Sequence, residues 1–429
     1  MSIKRYVIVG AGGRSAMFSE SILTTHRASA RLVALCDVNQ KRMDYYNARF
    51  QREHGAAPVA TYQAREFDRM IERERPDAVI VTSIDRTHDQ YIIRAMELGR
   101  DVITEKPMTI SAEKCRAILA AVERTGRRLR VTFNYRYSPS RSKVKELLRQ
   151  GVIGEVKSVH FEWLLDTNHG ADYFRRWHRD KNNSGGLMVH KATHHFDLVN
   201  WWLDSAPETV FALGSLGFYG KANAERRGDF RAYYRGTGAP AATGDPFALN
   251  LRDGGSLQGL YYDAEDEDGY LRDQNVFGDG ISIEDTMNLV VRYQSGAQLS
   301  YSLTAYAPWE GYRIAFNGTR GRLELDELEQ SYINAGNGHI TDGLSASQRL
   351  MVFPHRAQPY RAEIPAAVGG HGGGDLLLLA DLFTPGARPD PLGRAAGHVD
   401  GARSILTGIA ANQSFATGLP VRVDELLKL

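Results

Sequence analysis

Cysteine is nearly absent: the 429 residues hold two, Cys36 and Cys115. They lie far apart and in no ligand-like spacing, which excludes a disulfide framework and a cysteine-rich zinc site. Cys36 falls in the apolar run RLVALCD and Cys115 in a helical pattern, so both read as core thiols. Long hydrophobic runs are missing too, and no stretch has the length of a membrane span. The N-terminus enters a strand-like RYVIVGAGG without a leader pattern, so the expected setting is the cytoplasm, with no membrane partner. Excess charge of one sign is also lacking: 53 Lys and Arg face 51 Asp and Glu. The richest basic run, ERTGRRLR at 123–130, has no interleaved aromatics. It reads as a helix end leading into a strand, and no nucleic-acid partner is expected. Internal repeats and low-complexity tracts do not occur. What remains, 42% hydrophobic and 24% charged residues, suits two or three globular domains.

The first third alternates apolar runs with helical patterns. YVIVGAGGRS enters a glycine turn, a helix follows over about 16–25, and RLVALCD ends on Asp37. The turn reads Gly10-x-Gly12-x-x-Ser15. Gly10 suits a tight turn, Gly12 lets the backbone approach a pyrophosphate on a helix N-terminus, and Ser15 is small enough for close packing. Asp37 stands 22 residues past Ser15, where a carboxylate accepts hydrogen bonds from an adenosine ribose. That favours NAD. Lys41 and Arg42, close behind, would tolerate a 2′-phosphate, and a helix-capping Asp37 is the structural alternative. The alternation continues through PDAVIVTSI, a helix over about 87–98, DVITEKPM, SAEKCRAILAAVERTG and RLRVTFNYRYSP. It predicts an α/β fold with a doubly wound parallel sheet over residues 1–132. Residues 133–429 form a second domain. Within it, an aperiodic insertion at about 215–280 reads as a cap over the pocket or an oligomer contact. The segment DTMNLVVRYQSGAQLSYSLTAY alternates and turns at Ser295-Gly296, a β-hairpin.

These pieces, with PDAVIVTSIDRTHDQYI, VTFNYRYSP, GGLMVHKATHHFDLVNWW and GTRGRLELD, resemble the Gfo/Idh/MocA oxidoreductases over nearly the whole chain. The resemblance implies a Rossmann domain followed by an α/β domain with a large, mostly antiparallel open sheet, often used for homo-oligomer contacts. It implies NAD as cofactor, met by Gly10, Gly12, Gly13, Arg14, Ser15, Asp37, Ser83, His88, Glu105, Lys106 and Asn134. It also implies hydride transfer between nicotinamide and a ring carbon of a carbohydrate. Two other activities stay open: an NAD-dependent glycoside hydrolase that oxidises its sugar transiently, and a non-catalytic nucleotide-binding regulator.

Lys106 follows a strand in EKP. An ammonium there would ease deprotonation of a substrate hydroxyl; a plain surface lysine is the alternative. The run GGLMVHKATHHFDLVNWW places His190, His194 and Asp197 on one face of a helix. A zinc hydrolase helix would carry glutamate where Lys191 stands, so no metal is expected. A buried structural helix and a set of proton-transfer groups remain. By resemblance His194 is the acid/base partner of Lys106, and His190 stands where relatives usually carry aspartate, a candidate second base. Lys191, Tyr135 and Arg136 are placed near substrate. Arg175, Arg176, Trp177 and His178 combine guanidinium and aromatic groups, as sites for an anionic sugar do; a loop paired to Asp172 and Asp180 is the alternative. His371, near a glycine turn, either reaches the site from the second domain or belongs to that turn.

Overall fold

In the computed structural model, residues 3–330, 347–366, 371–386 and 390–429 are described, the side chains of Gln330 and His371 excepted. Apolar runs separated by amphipathic helices build the first layer. Strands β1 (Lys4–Val9), β2 (Ala30–Asp37), β3 (Ala60–Gln63), β4 (Ala78–Val81), β5 (Asp101–Thr104) and β6 (Leu129–Val131) pair in parallel, in the order 6-5-4-1-2-3. Helices α1 (Ser15–Leu23), α2 (Gln40–His54), α3 (Phe67–Glu74), α4 (His88–Glu97) and α5 (Ala112–Thr125) alternate with them. Helices on both faces explain why Val7, Ile8, Val79, Ile80 and Val81 are wholly buried. Local signals fix the helix ends. Asn39 and Ser111 accept from the amides of Arg42 and Lys114, while Gly55 and Gly126 close α2 and α5 in the left-handed region. The doubly wound sheet expected from the sequence is present.

After α6 (Pro139–Arg149) the chain forms β7 (Val156–Asp166), α7 (Thr167–Arg175), β8 (Pro207–Ser215), β9 (Thr286–Tyr293), β10 (Gln298–Ala307), β11 (Glu310–Gly318), β12 (Gly321–Gln330), β13 (Ser347–Pro354) and β14 (Tyr360–Arg361). The short β15 (Ala396–Gly397) and β16 (Val421–Arg422) come last. The second sheet has the order 14-13-12-11-7-10-9-8-16. Its pairs are antiparallel among the described residues, except β7 with β10. The expected hairpin is β9–β10, and its alternation buries Met287, Leu289, Val291 and Tyr293 on one face. Helices Thr193–Leu203 and His398–Thr417 belong to this domain.

Late segments return to the first sheet. β15 pairs antiparallel with β6. Helix Gly374–Phe383 sends Leu379 and Phe383 into a core with Tyr6 and Phe18, and the Phe383 ring meets Tyr6 edge-on at 5.1 Å. The insertion at about 215–280 carries short helices at Lys221–Arg227, Gly255–Leu260 and Glu265–Asp268. It is tied down from below: the Arg175 guanidinium donates to the Phe247 carbonyl, and Arg179 to those of Asn275 and Asp279.

α7 lies against β10 so closely that a Cβ on Gly170 would fall 1.7 Å from the Ala305 carbonyl oxygen. Backbone on both sides leaves no room to yield. Gly170→Ala is expected to cost about 3 kcal/mol of stability in a urea titration; an unchanged midpoint would mean that α7 is not seated as described. Burial pushes both thiols, Cys36 and Cys115, up to about 12, which leaves them protonated at neutral pH. Among the described residues no helix is long and apolar enough to cross a membrane.

Candidate active site

The glycine turn between β1 and α1 presses onto the end of β4. Gly10 has φ +96°, and a Cβ there would sit 2.4 Å from the Ser83 amide nitrogen, so glycine is required. Ser15 Oγ donates to the Gly12 carbonyl at 2.8 Å and closes the turn. At the end of β2 the Asp37 carboxylate accepts from the Ala11 amide at 2.5 Å and the Asn39 amide at 2.9 Å. Burial pushes its carboxyl up, while the Ala11 amide and Arg42 pull it back down. A helix N-terminus behind a glycine turn, with an acid closing the neighbouring strand, fits a dinucleotide. Arg14 donates to Glu105 at 2.8 Å, which fixes that carboxylate beside Lys106.

Some expected cofactor contacts are spent elsewhere. The two ring nitrogens of His88 face the Pro107 and Ser83 carbonyls, at 2.8 and 2.9 Å. Histidine 88 therefore braces two loops and is not turned to a ligand. Asn134 donates to Asp375 at 2.6 Å, linking the end of β6 to helix Gly374–Phe383. Ser83 Oγ lies 2.9 Å from Thr87 Oγ1. The His371 side chain lies outside the described residues.

Lys106 follows β5 through a cis peptide to Pro107. Its Nζ donates to the His190 carbonyl at 3.2 Å. Burial pushes the amine down to about 8, against the pull of Asp85 and Glu105. His190 Nδ1 lies 2.5 Å from Asp85 Oδ2 at the end of β4. Burial disfavours charge on both groups, holding the imidazole below its ordinary range and the carboxyl above its own, while Lys106 beside them pulls the carboxyl back towards its charged form. His190 Nε2 makes no hydrogen bond among the described residues. The rings of Tyr173, Trp177 and His178 surround it, with centroids at 5.6, 5.9 and 4.2 Å.

The continuous helix read from the sequence is broken. A short turn, Leu187–His190, ends at Lys191, and the next helix starts at Thr193. The three side chains expected on one face consequently diverge. His190 turns to Asp85. His194 stacks on Tyr135 at 4.0 Å and 12°. Asp197 accepts from Nη2 and Nε along one edge of the Arg136 guanidinium, at 2.6 and 2.7 Å. Tyr135 in turn lies 4.0 Å above the Arg141 guanidinium, and its hydroxyl receives Lys191 Nζ at 3.2 Å.

Two groups of expected substrate residues are corrected. Arg136 is 3% exposed and held by Asp197 and Asp400, so its guanidinium is a buried clamp and does not reach a substrate. Arg136→Ala should cost about 3–5 kcal/mol of stability, because it leaves Asp197 buried without its partner. A loss of substrate affinity at unchanged melting temperature would contradict this. Arg175 holds the insertion, as described above, and Arg176 pairs with Asp172 at 2.9 Å. The anion expectation thus loses most of its donors. Trp177 and His178, stacked at 3.6 Å, stay beside His190.

Several groups that meet here carried no motif. Asp85 closes the run PDAVIVTSID, and its place at the end of a parallel strand was the available signal. Glu310 accepts from or shares a proton with His169 Nδ1 at 2.6 Å, and His169 Nε2 lies 3.1 Å from the Tyr173 hydroxyl. These residues come from β11 and α7, 141 positions apart, which no spacing rule detects.

Residues 4–133 match the oxidoreductase family's NAD-binding Rossmann fold, and residues 145–423 match its C-terminal alpha/beta domain, both under the family name Gfo/Idh/MocA. YteT of Bacillus subtilis, whose name assigns it to the oxidoreductases, is 36% identical over 100% of this chain and 99% of its own length. The inositol 2-dehydrogenase of Rubrobacter xylanophilus is 28% identical over 48% of this chain and 54% of its own. Among solved structures, the WlbA dehydrogenase of Bordetella pertussis in complex with NADH and UDP-GlcNAcA superposes with a TM-score of 0.65 at 17% identity. The match covers 98% of this chain and 97% of that one.

Proposed function

The chain belongs to the Gfo/Idh/MocA oxidoreductase family, and on that footing we propose that it moves hydride between a ring carbon of a sugar or polyol and NAD. The carrying observation is the contact between Lys106 and the His190–Asp85 pair, at the carboxyl ends of β4 and β5. Nicotinamide, when bound, supplies the hydride acceptor. Lys106 orients the reacting hydroxyl and favours its oxyanion. His190 Nε2 takes the hydroxyl proton, while Asp85 holds Nδ1–H and stabilises the imidazolium that forms. The polar wall of Glu310, His169 and Tyr173 suits the remaining hydroxyls of an uncharged ring. Trp177 offers the ring an aromatic edge.

In this reading the base is His190 rather than His194, because the His194 imidazole lies in the stack on Tyr135. The test mixes protein and NAD with a panel of sugars, cyclitols and aryl glycosides, following NADH absorbance and aglycone release together. NADH rising in step with a keto product supports the reading. Aglycone released over many turnovers, with NADH never above the enzyme concentration, would replace it with redox-neutral glycoside hydrolysis.

A further inference from the structure

The insertion reaches the nucleotide domain around its second and third short helices. Residues 259–268 lie across the start of α1 and α2. Leu260 joins the core formed by Phe18, Met43 and Tyr46. A Cβ on Gly259 would fall 2.3 Å from the Tyr45 ring, so this backbone rests on α2. The Tyr261 hydroxyl accepts from the Gly13 amide at 3.0 Å, on the turn where a pyrophosphate is expected. Arg42 Nε donates to the Leu260 carbonyl at 3.0 Å, and Asn39 Nδ2 to that of Ala264 at 2.8 Å.

The turn that follows is Glu265–Asp268, four consecutive carboxylates. Three of them take the donors just behind Asp37. Glu267 accepts from the Gln40 amide at 2.5 Å and the Lys41 amide at 3.3 Å. Asp266 pairs with Lys41 at 2.7 Å, and Asp268 with Arg42 at 2.6 Å. Glu265 faces away and is held by Arg235. The cations and amides that would otherwise receive a 2′-phosphate are thus neutralised from a segment about 225 residues away in sequence.

We propose that the acidic turn Glu265–Asp268 is the nucleotide-selectivity element of this protein, rejecting the 2′-phosphate of NADP by occupying its donors. The inference rests on the dinucleotide site described above. Asp37 alone selects weakly, since Lys41 and Arg42 stand behind it and would bind a phosphate. With the turn in place, those cations are already paired. A phosphate of charge near −2 would also meet a row of like charges. NAD offers two ribose hydroxyls there and is not repelled.

The test is titration of NAD and NADP into the full-length protein, followed by tyrosine and tryptophan fluorescence. Two variants are compared with the unmodified chain: Asp266→Asn with Glu267→Gln, and the same pair with Asp268→Asn. Asp266 is exposed, so the double variant should fold, and its melting temperature verifies this. The unmodified protein should favour NAD by about 100-fold. Each variant should tighten NADP by about tenfold or more and change NAD by less than about threefold, and added salt should shrink the difference. NADP affinity unchanged in both variants, with NAD still tightly bound, would overturn the proposal alone. An unmodified protein that binds neither nucleotide would overturn the site itself.

Discussion

Lys106→Ala should reduce turnover by about 10³-fold while leaving NAD affinity within a few-fold of the unmodified protein. The separation follows from where the lysine sits. Its amine touches the His190 carbonyl and faces Asp85 and Glu105, whereas the nucleotide turn is built by Gly10, Ser15 and Asp37. Loss of the amine removes the group that favours an oxyanion and leaves the cradle intact. Since burial pushes this amine down to about 8, it is an ammonium at neutral pH and a base above. The oxidation rate should therefore change through about pH 8, and Lys106→Arg, charged throughout, should abolish that inflection. The stability sign follows from the same group. Between about 8 and its ordinary 10.5 the unfolded chain holds a proton that the folded chain has released, so stability rises with pH across that window. A NAD affinity that collapses together with turnover would remove Lys106 from the chemistry and make it part of the cradle.

Asp85→Asn should lower turnover by about 10²–10³-fold with little change in substrate affinity. A carboxylate at 2.5 Å from Nδ1 accepts a proton there and keeps Nε2 ready to receive another. An amide in its place donates to Nδ1, which forces the ring proton onto Nε2 and removes the base. His190→Ala should cost about as much, and the double variant no more than either alone, because both act through one nitrogen. His194→Ala, which removes a ring from the stack on Tyr135, should chiefly lower stability. Steady-state kinetics on the four proteins decide the matter: additive losses for Asp85 and His190, or a larger loss of turnover at His194, would reassign the base.

The fold was legible because its signals are local. Gly10, Ser15 and Asp37 are set by one strand–turn–helix–strand unit, and the helices α2 and α5 announce their own ends. The β9–β10 hairpin carries its alternation and its turn in a single run. The site was legible only where its residues lie on such units. Lys106 sits in EKP at a strand end, and the histidines were visible as a cluster. Their directions were not, because the break at Lys191 depends on tertiary packing. There helix His398–Thr417 crosses so near that a Cβ on Gly408 would lie 2.3 Å from the Met188 carbonyl. Arg136 was misread for a related reason: nothing in FNYRYSP shows that Asp197 and Asp400 will enclose it. Glu310, His169 and the turn at Glu265–Asp268 act across long separations, where single-sequence patterns carry no information.

The return of β15 and helix Gly374–Phe383 to the first sheet bears on how portable the nucleotide module is. In many enzymes such a module is a contiguous block that can be grafted or shared by fusion. Here a cut after β6 would strip off an edge strand and the cover supplied by Leu379 and Phe383 over Tyr6 and Phe18. The excised block would show an unpaired strand edge beside an apolar patch, the two features that invite self-association. The two halves are therefore interlaced, and recombination among relatives should succeed by exchange of whole chains or of surface loops, and fail at the apparent domain boundary.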